Sequence, residues 1–327
     1  MGTKQVGAKQ MEARRPAVSG SALAARWIHP LAIATLVGNI AIVVTGGAVR
    51  LTASGLGCPT WPQCTQGSFV PHGALGVHGV IEFGNRMMTF VLAAIAVATW
   101  VAAMNLLPRS RSVRRLATAL ALGIPGQAVL GGVTVLTDLN PWIVGLHLML
   151  SMLMISAAVL LIFRLRDPEA GVPSRLTVRL AVAAYGSAFV VLYLGTVVTG
   201  SGPHAGDVDA PRNGLDPQLW SHVHAAAVYV LVAVSVATVA VLHRAGAATH
   251  VRRAGWVLVG VELAQAAVGF TQYYLDLPEL LVGLHLLGAA LLAAAVTRLL
   301  LVVAGTKVRR RHDQLGRTLL SRGGRRG

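Results

Sequence analysis

Eight long apolar stretches dominate this 327-residue chain and restrict what it can fold into. Each is long enough to cross a hydrocarbon core of about 30 Å as a helix. With 54% hydrophobic and only 12% charged residues, the composition excludes a water-soluble globular domain. The stretches cover residues 31–50, 80–104, 115–136, 142–164, 176–199, 219–242, 252–275 and 280–303. The sequence therefore predicts an all-α integral membrane protein with eight transmembrane helices.

An internal repeat divides these helices into two sets of four. Residues 127–147 recur without a gap as residues 265–285. Both copies begin with Gln, carry an Asp eleven residues later and reach a histidine within the string Val-Gly-Leu-His-Leu. We therefore expect two duplicated four-helix bundles, each with one histidine at the same place.

The basic residues predict the orientation of the helices. The net charge of +16 is concentrated in the two ends of the chain and in alternate loops, as the positive-inside rule requires, rather than on one face that would bind nucleic acid. Both termini are thus expected in the cytoplasm of a multi-pass plasma-membrane protein. The basic residues of the two ends and the alternate loops are Lys4, Lys9, Arg14, Arg15, Arg26, Arg109, Arg111, Arg114, Arg115, Arg164, Arg166, Arg175, Arg179, Arg244, Arg252, Arg253, Lys307 and Arg309 to Arg311.

This topology predicts four regions. A cytoplasmic tail covers residues 1–29, and its polar start, without an apolar region and cleavage site, favours a tail over a signal peptide. The N-terminal four-helix half covers residues 30–165 and the C-terminal half residues 175–304. Residues 305–327 form a second basic cytoplasmic tail, expected to be solvated, without a fold of its own, and able to contact anionic lipid.

Two cysteines, Cys58 and Cys64, lie in the first external loop within Cys-Pro-Thr-Trp-Pro-Gln-Cys. The external face is oxidising, and the five-residue spacer lets the two sulfurs meet. A disulfide that staples the loop and a redox-cycling dithiol both fit this pattern. A structural zinc site fits less well, because it needs four ligands.

The histidines of the apolar repeats, His147 and His285, predict ligation of a metal group, and haem is the first candidate. A second axial imidazole has to come from a facing helix of the same bundle. Helix six carries His222 and His224, and alignment of helix six with helix two places His224 opposite Asn85. His224 and His285 are therefore the predicted haem ligands of the C-terminal half. His222 points about 160° away around the helix and faces a different direction.

The N-terminal half differs, because Asn85 stands where the C-terminal half has a histidine and an amide is a poor iron ligand. One half can then hold a permanent haem, while the other leaves an iron position open, as a site for a substrate haem requires. His78, two turns before Asn85 on the same helix face, is an alternative ligand.

Helix two also carries Glu82 and Arg86, four residues apart on one face. A carboxylate just inside the bilayer is costly unless it is paired or used in chemistry. An internal ion pair and a catalytic group both fit. Arg50, at the external end of helix one, is a candidate to bind a haem propionate.

These motifs resemble the haem A synthase family over residues 26–303. The resemblance rests on Gly46 to Thr52 followed by Ser-Gly-Leu-Gly, on the cysteine motif, on Glu82-x-x-Asn85-Arg86, and on single histidines in helices four, six and eight. It implies oxidation of one porphyrin methyl group of haem O to the formyl group of haem A, through an alcohol and a hydrate. It also implies haem b between His224 and His285, a substrate haem in the N-terminal half, and Glu82 beside the methyl group. Family members often have histidine where this chain has Asn85, which leaves His147 as the surer ligand of the substrate haem.

Two other functions compete with this reading. A transmembrane electron-transfer cytochrome of the b561 type needs histidine pairs near both faces, whereas His147, His224 and His285 all map to the external half. A haem or solute transporter leaves the cysteines and Glu82 without a role. The partners expected under the resemblance are haem O, an electron donor in the membrane, the prenyltransferase that makes haem O, and a second copy of the chain in a homo-oligomer.

Overall fold

The computed structural model describes residues 20–107, 110–166 and 174–323. The basic residues Lys4, Lys9, Arg14, Arg15 and Arg109, on which the orientation partly rests, lie outside these ranges, as do residues 1–19 and 324–327 of the two predicted tails. The orientation of the helices across the membrane stays a prediction.

Eight α-helices make up the described chain, and all eight are long and apolar enough to span a membrane. The prediction of an all-α, eight-helix membrane protein is confirmed. Within the described ranges there is no sheet, only one isolated bridge between Thr65 and Ser68. The helices are α1 (Gly20–Leu51), α2 (Gly76–Asn105), α3 (Arg111–Leu136), α4 (Pro141–Leu165), α5 (Arg175–Ser201), α6 (Pro217–Arg244), α7 (Thr249–Tyr274) and α8 (Glu279–Gly323).

Two helices extend beyond the apolar stretches that predicted them. Helix α1 begins at Gly20, inside the predicted tail, and α8 continues to Gly323. The segment after residue 304, expected as a solvated tail, is therefore helical as far as Gly323. The α1 extension is rich in Ala and includes Pro30 where it meets the apolar stretch, and the α8 extension is rich in Leu and Arg. Ala, Leu and Arg favour helix even where the hydrophobicity that guided the prediction is absent.

The repeated aspartate occupies the same turn in both halves. Asp138 and Leu139 have φ of 50° and 59°, and Asp276 and Leu277 have φ of 56° and 61°. The N–H of Leu139 donates to the carbonyl of Thr134, five residues earlier, and Leu277 makes the same bond. Aspartate tolerates this left-handed conformation better than most residues. Both repeats therefore have aspartate in the turn where the chain reverses direction, between α3 and α4 and between α7 and α8.

The helices form two closed rings of contacts. In the first, α1 contacts α2, α2 contacts α3, α3 contacts α4, and α4 returns to α1; α5 to α8 form the second ring in the same way. Helices α1 and α4 also contact α8, and α4 contacts α5, which joins the rings. One buried core lies among α1 to α4, and a second lies among α5 to α8 with α4 and part of α1.

Loops between the helices join the two rings as well. Leu139 is buried against Ala205 and Ala210 of the α5–α6 loop. The N–H of Gly55 donates to the carbonyl of Gly206 at 2.7 Å. The two rings are therefore held together at this end by both apolar and polar contacts.

Candidate functional site

His224 on α6 and His285 on α8 face each other inside the second ring. The centres of the two imidazoles lie 6.4 Å apart, with the ring planes at 72°. Two imidazoles that bind one metal from opposite sides, through metal–nitrogen bonds of about 2.0 Å, have ring centres about 6 Å apart. The spacing of this pair therefore fits two axial ligands of one haem iron.

A glycine on the neighbouring helix makes room for each of these rings. A Cβ added at Gly195 of α5 would lie 3.3 Å from Cε1 of His224, and one added at Gly269 of α7 would lie 3.3 Å from Cε1 of His285. Real Cβ atoms rarely approach so closely. A larger residue at either position would push the facing imidazole away by a few tenths of an ångström.

The first ring has the same plan with different chemistry. A Cβ at Gly131 of α3 would lie 3.4 Å from Cε1 of His147. Asn85 lies near Gly46, and its Oδ1 accepts a hydrogen bond from Thr45 Oγ1 at 2.7 Å. The site thus offers one imidazole and one amide that is already engaged.

Glu82 is buried and forms an ion pair with Arg86. Its Oε1 accepts hydrogen bonds from Nη2 of Arg86 at 2.6 Å and from Nε at 3.2 Å, and its Oε2 accepts one from the N–H of Cys58. Both carboxylate oxygens are therefore occupied, by α2 itself and by the cysteine loop.

Cys58 and Cys64 form a disulfide and are fully buried. Arg86 binds the loop that they close, donating from Nη2 to the carbonyls of Cys58 at 3.0 Å and Thr60 at 3.1 Å. It also donates from Nη1 to the carbonyl of Gln63 at 3.3 Å. The loop is thus attached to the Glu82–Arg86 pair as well as closed by the disulfide.

Trp61 of this loop packs directly over Gly132 of α3, where any side chain would overlap the indole. Gly132 follows Gly131, the residue that faces His147. At the equivalent place the second repeat has Phe270. The cysteine loop therefore reaches α3 beside the glycine that faces His147.

Arg50 contacts protein rather than lying free for a propionate. Its Nη2 donates to the carbonyl of Thr199 at 2.7 Å, and its Nε donates to the carbonyl of His204. Helix α5 ends at Ser201, so Arg50 of the first ring satisfies carbonyls at the end of a helix in the second ring.

Two further histidines from the sequence analysis are exposed. Nδ1 of His78 lies 2.9 Å from Oγ of Ser54. The ring of His222 lies 6.2 Å from that of Tyr273. Neither is part of the facing pair.

Sequence reasoning missed Glu262, which is buried in the middle of α7. Its Oε1 accepts a hydrogen bond from Ser235 Oγ at 2.7 Å, and its Oε2 has no partner within the described part of the chain. One signal was available, because the equivalent residue in the first repeat is the apolar Ile124. A carboxylate that interrupts a duplicated apolar pattern is the signal in the sequence that marks this residue.

Comparison with known proteins identifies the family. The model of the COX15-CtaA family, described as cytochrome oxidase assembly protein, matches residues 29–76 and 75–297. The chain belongs to this family. The COX15-CtaA match reaches all four helices of each ring, with the cysteine loop, the Glu82–Arg86 pair and the three half-buried histidines His147, His224 and His285.

Individual relatives of this COX15-CtaA protein are similar over shorter stretches. The protein named Heme A synthase from Lysinibacillus sphaericus is 31% identical over 137 residues, which is 42% of this chain and 44% of the relative. The one from Halalkalibacterium halodurans is 28% identical over 172 residues, which is 50% of this chain and 56% of the relative. The chain therefore spans about half the length of the curated relatives it matches.

Proposed function

We propose that this chain is a haem A synthase, a membrane oxidoreductase that converts a methyl group of haem O to the formyl group of haem A. Its family and the name of its relatives support the proposal. The observation that carries it is the facing pair of His224 and His285, whose 6.4 Å separation suits one haem iron.

In the proposed enzyme, His224 and His285 hold haem b in the second ring. When bound, this group supplies an iron centre that accepts and passes single electrons. Gly195 and Gly269 let the imidazoles of His224 and His285 approach the neighbouring helices. The apolar residues of the second core exclude water. The protein's part is to hold the two imidazoles in place.

The first ring takes the substrate haem, with His147 as its protein ligand. Asn85, held by Thr45, leaves the opposite side open, which suits a molecule that must enter and leave. Glu82 lies on the same helix and supplies negative charge beside the methyl group. Because both of its oxygens already accept hydrogen bonds, stabilisation of positive charge on the substrate is favoured over proton transfer.

The cysteine loop covers this site on the proposed external face of the plasma membrane, with both chain termini in the cytoplasm. The reaction also needs an electron donor within the membrane, and the prenyltransferase that makes haem O is a reasonable neighbour. Self-association of the chain is part of the same proposal.

Replacing one carboxylate tests this assignment. The protein is expressed in a membrane that produces haem O, purified, and its haems are extracted and identified by mass spectrometry. Glu82→Gln should keep haem b but lose haem A by at least tenfold, since removal of one preorganised electrostatic group commonly costs about 10²–10³ in rate.

Glu262→Gln is the matched control, because it replaces another buried carboxylate outside the proposed reaction. It should make haem A at the level of the unchanged protein. Equal haem A in the Glu82→Gln and unchanged proteins would refute the role of Glu82. Haem b alone at both sites, unaltered by oxygen, would refute haem A synthase and indicate an electron-transfer cytochrome.

A further inference from the structure

The two repeats use the same glutamine differently. In the second ring of helices, the amide of Gln265 on α7 contacts the imidazole of His285 on α8. With the amide oriented to satisfy its neighbours, its nitrogen lies 2.7 Å from Nδ1 and 3.2 Å from the carbonyl of His285. Its oxygen lies 3.2 Å from the backbone nitrogen of Gly288. The amide is thus fixed at both ends and touches the imidazole.

In the first ring, the equivalent Gln127 turns away from the imidazole. Its Nε2 donates to Oγ of Ser151 at 2.7 Å and to the backbone carbonyl of His147 at 3.3 Å. Two buried atoms are left over, Oε1 of Gln127 and Nδ1 of His147, and neither has a partner among the residues that the structure describes.

The two imidazoles are also turned differently. A Cβ at Gly269 would lie 3.8 Å from Nδ1 of His285, whereas a Cβ at Gly131 would lie 3.7 Å from Nε2 of His147. His285 therefore turns Nδ1 toward the helix that carries Gln265. His147 turns Nε2 toward the equivalent helix, although Nε2 is the atom that His285 leaves free for a metal.

Two substitutions between the repeats account for the difference. The second repeat has Gly288 and Ala289 where the first has Leu150 and Ser151. A Cβ at Gly288 would overlap the amide of Gln265, so only glycine leaves the space that the amide occupies. Ser151 offers Gln127 a hydroxyl, and Ala289 offers none.

We propose that Gln265 is the positioning residue that makes haem binding in the second ring permanent, and that Ser151 diverts Gln127 so that the first ring releases its haem. This inference rests on the proposed function, which places a resident haem in one ring and a substrate haem in the other. It adds the cause of that difference. The two rings of helices bind haem differently because Gln265 contacts the imidazole of its histidine and Gln127 does not.

The chemistry of metal-bound histidine supports this role. When a metal takes Nε2, Nδ1 carries the proton and needs an acceptor. Turning the Gln265 amide over presents its oxygen to the protonated Nδ1 and gives up its bonds to the carbonyl of His285 and the N–H of Gly288, so the same side chain contacts the imidazole in both the free and the bound state. Loss of such a partner typically costs about 10–100-fold in metal affinity. His147 lacks that support and must turn its ring to present Nε2.

Haem release measures the effect directly. The purified full-length protein, loaded with haem b and haem O without oxygen, is mixed with excess apomyoglobin, and the haem remaining is identified by mass spectrometry. Gln265→Leu should speed release of haem b by about 10–100-fold. Gln127→Leu, the matched change in the first ring, should leave release of haem O unchanged.

Two conservative variants guard against a simple loss of folding. Ala289→Ser, which copies the hydroxyl of the first ring, should also speed release of haem b. Gln265→Glu keeps an acceptor at Nδ1 and adds charge, so haem b should be retained with a lower midpoint potential. A purely structural role for Gln265 predicts no change of potential.

The results separate this inference from the proposed function. Equal acceleration by Gln265→Leu and Gln127→Leu, or no effect of Gln265→Leu and Ala289→Ser, would overturn the inference while leaving haem A synthesis intact. If the unchanged protein binds no haem, both fall. If it binds haem in both rings with equal release rates, only the inference falls.

Discussion

At the scale of single residues, three glycines lie close to the imidazoles at the centres of the helix rings. A Cβ at Gly131, Gly195 or Gly269 would lie 3.3–3.4 Å from Cε1 of the facing histidine. Gly131 and Gly269 occupy the same position in the two repeats, so the repeat duplicates a glycine together with the histidine it faces.

Adding one methyl group at Gly269 tests the effect of this close contact. In Gly269→Ala, the new Cβ lies 3.3 Å from Cε1 of His285, so the ring must shift by a few tenths of an ångström. We expect less bound haem b per protein and an altered absorption spectrum. Gly260→Ala is the control on the same helix, because open space surrounds Gly260, and it should stabilise the helix by about 1 kcal/mol. Equal haem content in both variants would contradict the prediction.

At the scale of elements, the cysteine loop and helix α2 act as one unit. Arg86 donates to three carbonyls of the loop, and Glu82 accepts from the backbone of Cys58. The disulfide closes the loop, but these bonds attach it to the helix. Loss of the attachment should expose the disulfide without breaking it.

Arg86→Met should therefore make the disulfide easier to reduce. A hydrogen bond to a charged group contributes about 1.5–3 kcal/mol, so losing one raises the population of the open loop at least about tenfold. The rate of reduction by a water-soluble phosphine, followed by maleimide labelling of Cys58 and Cys64, measures this. Arg212→Met is the control, because Arg212 binds carbonyls of a different loop. A reduction rate equal to that control would count against the attachment.

At the scale of the whole molecule, Arg50 joins the two rings. It belongs to α1 but binds the carbonyls of Thr199 and His204 at the end of α5. With Leu139 and the Gly55–Gly206 hydrogen bond, it ties together the ends of the rings that lie beside the cysteine loop. Both sites therefore depend on one interface.

Arg50→Met should destabilise the protein even before haem is bound. The carbonyls that lose their donor cost about 1–3 kcal/mol when buried, so thermal unfolding of the haem-free protein should occur at a lower temperature. Arg115→Met, at an exposed arginine, is the control. A haem-free Arg50→Met protein as stable as the control would contradict this prediction.

Much of this architecture follows from local patterns in the chain. Hydrophobicity predicted the eight helices, and the repeat identified the histidines, because helix length and internal duplication need no knowledge of contacts. Hydrophobicity failed at the ends of α1 and α8, where helix propensity continues after the apolar pattern ends. It also passed over Glu262, whose partner Ser235 lies on another helix.

The sequence by itself determined the class of protein, the number of helices and the residues that distinguish the two repeats. Only the tertiary structure decided which of those residues meet: that His224 lies opposite His285, that Glu82 binds the cysteine loop, that Arg50 binds the other ring, and that Gln127 and Gln265 have different partners. The physical reason is range. Hydrophobicity and helix propensity act between neighbours along the chain, whereas a hydrogen bond between two helices depends on how both are packed and turned.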